Sequence, residues 1–134
     1  MVTRVIAADT SVWIDFLRGA QKPPAEYLTI SMRESRVALT DVVLTELLQG
    51  VSEHEVQQLD ELLSALPVLR LESLQDFRRS AALYRAARAA GRTVRSTTDC
   101  LIASVCIREG VPLLHADRDF DTLADVSELA VVQA

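Results

Sequence analysis

The chain has 134 residues, 49% of them hydrophobic and 25% charged, and a formal net charge of −5. This is ordinary globular composition in a length that supports one core, so residues 1–134 are expected to form a single domain without repeats, linkers or low-complexity segments. No run of about 18 apolar residues is available to span a membrane, and Met1-Val2-Thr3-Arg4 runs into a strand-like segment without a signal-peptide pattern.

Val5–Ala8 reads as a short buried strand, followed by a helix over Thr10–Arg18 that Gly19 stops. Pro23-Pro24 starts a second helix, Ala25 to Glu34, and Val37–Leu39 is a brief strand. Asp41 is expected to cap a helix with the apolar stripe Val43, Leu44, Leu47, Leu48 and Val51. Val56, Leu59, Leu63 and Leu66 predict another helix, ended at Pro67, with a strand over Val68–Leu71. Leu74, Phe77, Ala81 and Tyr84 define a long alanine-rich helix that closes near Gly91. Thr98–Glu109 reads as a buried helix capped by Gly110. Leu113–His115 and Leu129–Val132 are the last strands, with a short helix around Thr122–Ala124 between them. Strands alternating with helices imply a parallel sheet flanked on both faces. Cys100 and Cys106 lie on one predicted helix, roughly 9 Å apart at helical rise and too far for a disulfide. As small buried apolar residues they fit a reducing cytoplasm, the expected location. With His54 and His115 they show no zinc-ligand spacing.

Acidic residues gather where the apolar runs stop: Asp9 after Val5–Ala8, Glu46 after Val42-Val43-Leu44, Asp99 before Cys100–Ala103, and Asp117 and Asp119 after Leu113–His115. Ligands of an open parallel sheet bind outside the carboxyl ends of its strands. Carboxylates that share such a site repel one another unless a cation neutralises them. A hard divalent ion accepts an all-oxygen shell and keeps open positions for a phosphate, so the pattern points to metal-dependent phosphoryl or phosphodiester chemistry. Each residue alone also fits a local role. Asp9, Thr98 and Asp99 are favoured at helix starts, and Asp117 and Asp119 suit turns, with Asp121 as a helix cap. Glu46 lies more than about 100° from the centre of the Val43/Leu47/Val51 stripe, a solvated or flanking position.

The negative net charge conceals a basic segment. Arg78, Arg79, Arg85, Arg88, Arg92 and Arg95 occur with no acidic residue among them, leaving 8 basic against 19 acidic residues elsewhere. Arg78, Arg85 and Arg88 share a helical face by their spacing. Alone this is a solvated arginine face; beside a carboxylate site it suits phosphate oxygens, which the guanidinium fork matches. Lys22 is the one lysine.

Taken in order, Asp9-Thr10-Ser11-Val12-Trp13, Thr45-Glu46-Leu47-Leu48-Gln49-Gly50, Thr98-Asp99-Cys100-Leu101-Ile102-Ala103 and His115-Ala116-Asp117-Arg118-Asp119-Phe120 resemble the PIN-domain ribonucleases. Among these the chain is most similar to the VapC toxins of bacterial toxin–antitoxin pairs. The resemblance runs from residue 4 to about residue 132, and Asp-Thr-Ser and Asp-Arg-Asp-Phe are its most specific parts. It implies a three-layer α/β/α PIN-like fold, with about five parallel strands in the order 3-2-1-4-5 and helices on both faces. It implies Mg²⁺ or Mn²⁺ held by Asp9, Glu46, Asp99 and Asp117, the catalytic set, with Asp119 as a fifth carboxylate. Thr10, Ser11 and Thr98 become supporting hydroxyls, and Arg78, Arg85, Arg88, Arg92 and Arg95 become RNA-binding residues. The implied activity is that of a toxic endoribonuclease cutting structured RNA, such as tRNA or a ribosomal RNA loop. The implied partners are a VapB-type antitoxin and a second copy of the chain. An antitoxin is expected to place an Arg or Lys in the acidic pocket, with Trp13, Phe16 and Leu17 as candidate anchors for its apolar contacts.

Other classes are weighed on residues. A phosphoacceptor signalling domain needs a lysine near the last strand, and Lys22 is far from it in sequence. A non-catalytic PIN module that binds RNA or a partner would be marked by a missing carboxylate, and none is missing. A housekeeping PIN nuclease of RNA maturation shares the same site; an antitoxin gene upstream would distinguish the toxin.

Overall fold

The computed structural model describes residues 4–134; Met1–Thr3, read above as part of the lead-in to the first strand, lie outside the described residues. Among the described residues four strands of two residues each are formed: β1 Ala7–Ala8, β2 Leu39–Thr40, β3 Val68–Leu69 and β4 Leu113–Leu114. All pairing is parallel. β1 lies against β4 with Ala7 opposite Leu113, and β2 lies against β3 with Leu39 opposite Val68. Single bridges connect Ile6 to Val37 and Leu113 to Val131. The Ile6 amide donates to Arg36 O and the Ala38 amide to Ile6 O, so β1 and β2 adjoin through the residues just before them. The expected strand Leu129–Val132 contributes only the Val131 bridge, although the Leu113 and Val132 amides donate across it to Ala130 O and Leu113 O. Ile6, Ala7, Ala8, Leu39, Leu113 and Leu114 are buried, as strands covered on both faces should be.

Seven helices occur among the described residues: α1 Thr10–Leu17, α2 Pro23–Arg33, α3 Asp41–Gln49, α4 Val56–Ser64, α5 Leu74–Ala89, α6 Thr97–Glu109 and α7 Arg118–Asp125. No helix is long and apolar enough to cross a membrane among the residues described. Local chemistry explains the helix starts and corrects two of them. Thr40 caps α3, its hydroxyl accepting from the Val43 amide at 3.2 Å, and Asp41 is instead the first helical residue, accepting from Leu71 N at 3.0 Å. Asp117 caps α7, which therefore begins well before Thr122; Asp121 lies inside the first turn. At the other end of α6, Gly110 adopts a φ of 65°, the left-handed closure that glycine takes without strain. Cys100 and Cys106 are buried free thiols, and burial foremost pushes them up to about 11 and about 12.

α6 is buried around most of its circumference, through Cys100, Ile102, Ala103, Ser104, Val105 and Cys106. α5 lies along it, but not by the stripe that hydrophobic spacing picks out. Leu74, Phe77 and Tyr84 are exposed, whereas α5 buries Asp76, Ser80, Leu83 and Ala87. The cause is an ion network. The fully buried Asp76 carboxylate accepts from Arg108 Nε at 2.9 Å, from Arg79 Nη1 at 2.9 Å and from the Glu72 amide at 2.8 Å. Its backbone carbonyl takes the Ser104 hydroxyl at 2.7 Å. Burial alone would push Asp76 up, but the Glu72 amide and the two guanidinium groups outweigh it and hold the carboxyl below its ordinary range.

Removing one member of a buried ion network strands the others. Asp76→Asn is expected to cost about 3 kcal/mol, read as a lowered urea midpoint. Arg92→Ala breaks an exposed pair with Asp125 and is expected to cost less than about 1 kcal/mol. Equal losses would contradict the assignment of the α5–α6 seam to Asp76.

Candidate metal centre of carboxylates

Asp9, Asp117 and Asp119 sit where helices follow the carboxyl ends of strands, and Asp99 opens a helix that follows another helix. Asp9 comes straight after β1 and caps α1, accepting from the Val12 amide at 3.1 Å. Asp99 is in the first turn of α6. Asp117 caps α7 after β4, accepting from the Asp119 amide at 2.9 Å, and Asp119 is in the first turn. The positive ends of three helix dipoles are thus presented to these four residues, which favours gathering negative charge there. Glu46 arrives differently, from within α3, and Thr10 on α1 donates its hydroxyl to Glu46 Oε1 at 2.6 Å. The helical wheel marked Glu46 as solvated or flanking; it is partly buried because a neighbouring helix supplies that hydroxyl.

Asp99, Asp117 and Asp119 form the tight group, each offering an oxygen within 4.8 Å of the others. Asp9 and Glu46 are outside that group but not outside its field. Burial foremost, then the negative charges of Asp117, Asp9, Asp119 and Glu46, pushes Asp99 up to about 7. Asp9 is itself raised, chiefly by burial, against hydrogen bonds from Val12 and Ser11. Ser11 reaches Asp9 Oδ1 at 3.0 Å, and Thr98 shares a hydrogen bond with Ser96 next to Asp99. An all-oxygen set with this much uncompensated charge suits a hard divalent cation.

The arginines divide. Arg95, from the loop between α5 and α6, donates Nε to Asp119 Oδ2 at 3.0 Å and Nη2 to Asp117 Oδ1 at 3.1 Å. Its backbone amide also donates to Asp119 Oδ2 at 3.2 Å. Burial would push Asp119 up, yet these bonds and the charge of Arg95 hold it below its ordinary range. Arg92 is paired with Asp125 at 2.7 Å. Arg85 and Arg88 line a groove of about 420 Å³ with Phe77, Tyr84, Thr97, Cys100 and Leu101, and Arg88 lies 5.8 Å from the Tyr84 ring centre. Arg78 is exposed, with no ion pair among the described residues. Two further groups belong to the site and escaped attention in the sequence. His115 Nδ1 accepts from the Asp117 amide at 3.1 Å while Nε2 lies 3.3 Å from Asp121, so the ring fixes the loop before α7. The signal was there, since His115 is two residues from Asp117. Arg95 as a partner of the carboxylates had no such signal.

Comparison with known proteins bears on this geometry. The family described as PIN domain matches residues 6–126. Ribonuclease VapC11 of Mycobacterium tuberculosis is 38% identical over 128 residues, which cover 93% of this chain and 96% of that protein. Among solved structures, the VapBC complex of Salmonella typhimurium bound to DNA is similar with a TM-score of 0.74 at 18% identity, covering 97% of this chain and 98% of that one. VapBC-5 of Mycobacterium tuberculosis, a toxin–antitoxin complex, is similar with a TM-score of 0.67 at 25% identity, covering 98% and 100%.

The Asp99 shift fixes a pH dependence for the metal-free protein. Its carboxyl ionises at an ordinary 3.8 in the unfolded chain and at about 7 in the fold. The folded state therefore binds the extra proton between those values, and its contribution to stability, complete below 3.8, is lost as pH rises through about 7. In chelator, Asp99→Asn is expected to melt a few degrees above the wild type at pH 8 and to lose that advantage near pH 4. Parallel melting curves for the two proteins from pH 4 to 8 would refute the crowded-carboxylate reading.

Proposed function

We propose that this chain, which belongs to the PIN-domain family and within it to the VapC ribonucleases, is the toxic endoribonuclease of a toxin–antitoxin pair. The observation that supports the proposal is the clustering of Asp99, Asp117 and Asp119, whose oxygens lie within 4.8 Å of one another, with the charges of Asp9 and Glu46 acting on Asp99 as well. In this reading Asp9, Glu46, Asp99 and Asp117 are catalytic and bind Mg²⁺ or Mn²⁺, with Asp119 as the fifth carboxylate. When bound, the ion supplies a water of lowered pKa and neutralises charge developing on the phosphate. The chain's own residues do the rest. Asp9 is braced by Ser11 and the Val12 amide, and Glu46 is held by Thr10, so both present oxygens of fixed direction. With their protons given to Glu46 and Asp9, the Thr10 and Ser11 hydroxyl oxygens are left to accept from metal-bound water, and Thr98 is the further supporting hydroxyl beside Asp99. Arg78, Arg85, Arg88 and Arg92, with Arg95 at the site itself, take backbone phosphates of a structured RNA, such as tRNA or a ribosomal RNA loop. The parallel ladders and bridges support one sheet in the order 3-2-1-4-5, with the Val131 segment as the fifth member.

The partners follow from surface chemistry. Leu17, Val51, Leu59 and Leu62 line one groove beside α1, and Ile14, Leu17, Leu47 and Val51 line a second that includes Glu46. An amphipathic segment of a VapB-type antitoxin fits such a path, with a basic side chain ending among the carboxylates. Of the candidate anchors, Leu17 is 41% exposed on both grooves, whereas Trp13 is fully buried against Phe16 and is a core residue. The exposed Leu74, Phe77 and Tyr84 of α5 support pairing with a second copy of the chain.

Asp99→Asn is expected to abolish cleavage of tRNA or ribosomal RNA in Mg²⁺ while the protein still folds; cleavage at the wild-type rate would sink the assignment. Leu17→Glu is expected to prevent co-purification of the protein encoded immediately upstream and to leave RNA cleavage intact. If the wild type retains nothing on a tag and its expression leaves growth untouched, the toxin reading fails.

A further inference from the structure

The cation reading above leaves one contact without a role. Arg95 holds two of the three clustered carboxylates by side-chain bonds, and it does so unequally. Asp119, with a side chain 6% exposed, receives both the Arg95 backbone amide and Nε on a single oxygen, Oδ2. Asp117, with a side chain 33% exposed, receives only Nη2, at 3.1 and 3.3 Å to its two oxygens. Asp99, the third member of the cluster, has no bond from Arg95 among the described residues. The guanidinium is therefore anchored on Asp119 and lent to Asp117.

We propose that Arg95 is a built-in counter-ion of the carboxylate cluster, which competes with the divalent cation for Asp117 and so sets the cation affinity of the site. The proposal rests on the cation reading and adds to it a division of labour between the two aspartates. Asp119 serves as the fixed seat of Arg95, while Asp117 changes partner. Three features of the geometry support this. The side chain of Arg95 is 64% exposed, so its outer nitrogens have room to swing away from Asp117 without disturbing packing. The paired backbone amide keeps the loop in place while they do so. Asp117 is further steadied by its α7 capping bond to the Asp119 amide, so losing Nη2 does not free it to move. A guanidinium displaced in this way stays beside the cluster, where a phosphate oxygen of the substrate is its natural next partner. The same arginine thus neutralises the empty site and becomes available to the substrate in the loaded one.

The test is Mn²⁺ binding, followed by the electron paramagnetic resonance signal of the free ion, on full-length wild type and on Arg95→Gln. Arg95→Gln removes the charge and keeps a hydrogen-bonding amide. It is expected to bind Mn²⁺ about tenfold more tightly, the scale on which one opposite charge at ion-pair distance alters a carboxylate's affinity for a proton. It is also expected to show a larger rise in melting temperature on adding Mn²⁺. Arg95→Lys, which keeps the charge without the fork, should fall between the two. Unchanged or weaker Mn²⁺ binding by a folded Arg95→Gln would overturn the proposal and leave Arg95 a structural strap. Absence of Mn²⁺ binding in every variant, the wild type included, would overturn the cation reading itself and this proposal with it.

Discussion

Repulsion among like charges at one end of a parallel sheet is the constraint under which the rest of this molecule is arranged. Carboxylates from four separate stretches of chain are brought to a site where burial, with their charges added to it, raises Asp99 to about 7. Left in water they would stay apart. The fold offsets the cost with local devices: three helix starts face the site, Ser11 and Thr10 donate to Asp9 and Glu46, and Arg95 straps Asp117 to Asp119. The devices are spread over α1, α6, α7 and the α5–α6 loop, so the site is assembled only when these come together.

That dependence explains why so short a sheet is enough. The named strands are two residues long, and their backbone bonds are few. What fixes the strand ends is the packing around them, chiefly the core of Trp13, Phe120, Ile102, Leu113 and Leu114. α6 runs through this core with Asp99 in its first turn, so a central apolar helix delivers a charged residue to the surface at its N-terminus. Core and site are two ends of the same element.

Much of this was legible in the chain. The Val43/Leu47 stripe is buried as its spacing required, and the apolar run from Cys100 to Cys106 is a central helix. Asp9, Asp117 and Asp119 follow strands, as the ends of their hydrophobic runs implied, whereas Glu46 and Asp99 are carried by α3 and α6. What could not be read is polar pairing across long distances in sequence. Asp76 turns the buried face of α5 away from Leu74, Phe77 and Tyr84, since hydrophobic periodicity assumes that the apolar side faces inward and cannot see Arg108 waiting on α6. The helical wheel leaves Glu46 at a solvated or flanking position, since it takes no account of Thr10, 36 positions away. Asp41 and Asp121 suit a cap by residue type, yet Thr40, next to Asp41, and Asp117, four residues before Asp121, take that role: nearby residues with similar capping preference are separated only by backbone geometry.

The Asp76 knot also constrains how such a sequence can drift. A lone change at Asp76, Arg79 or Arg108 leaves buried charge unmatched, whereas replacing a complete buried ionic group with apolar residues of similar volume is often neutral or better. The three positions are therefore bound to one another in descent: lineages should hold all of them or exchange them together, with few survivors in between. Because α5 and α6 meet along this seam and the loop joining them carries Arg95, a lineage that rebuilds the seam must also reposition the arginine at the acidic site. Divergence at the seam and divergence at the site are then expected to be inherited as one event.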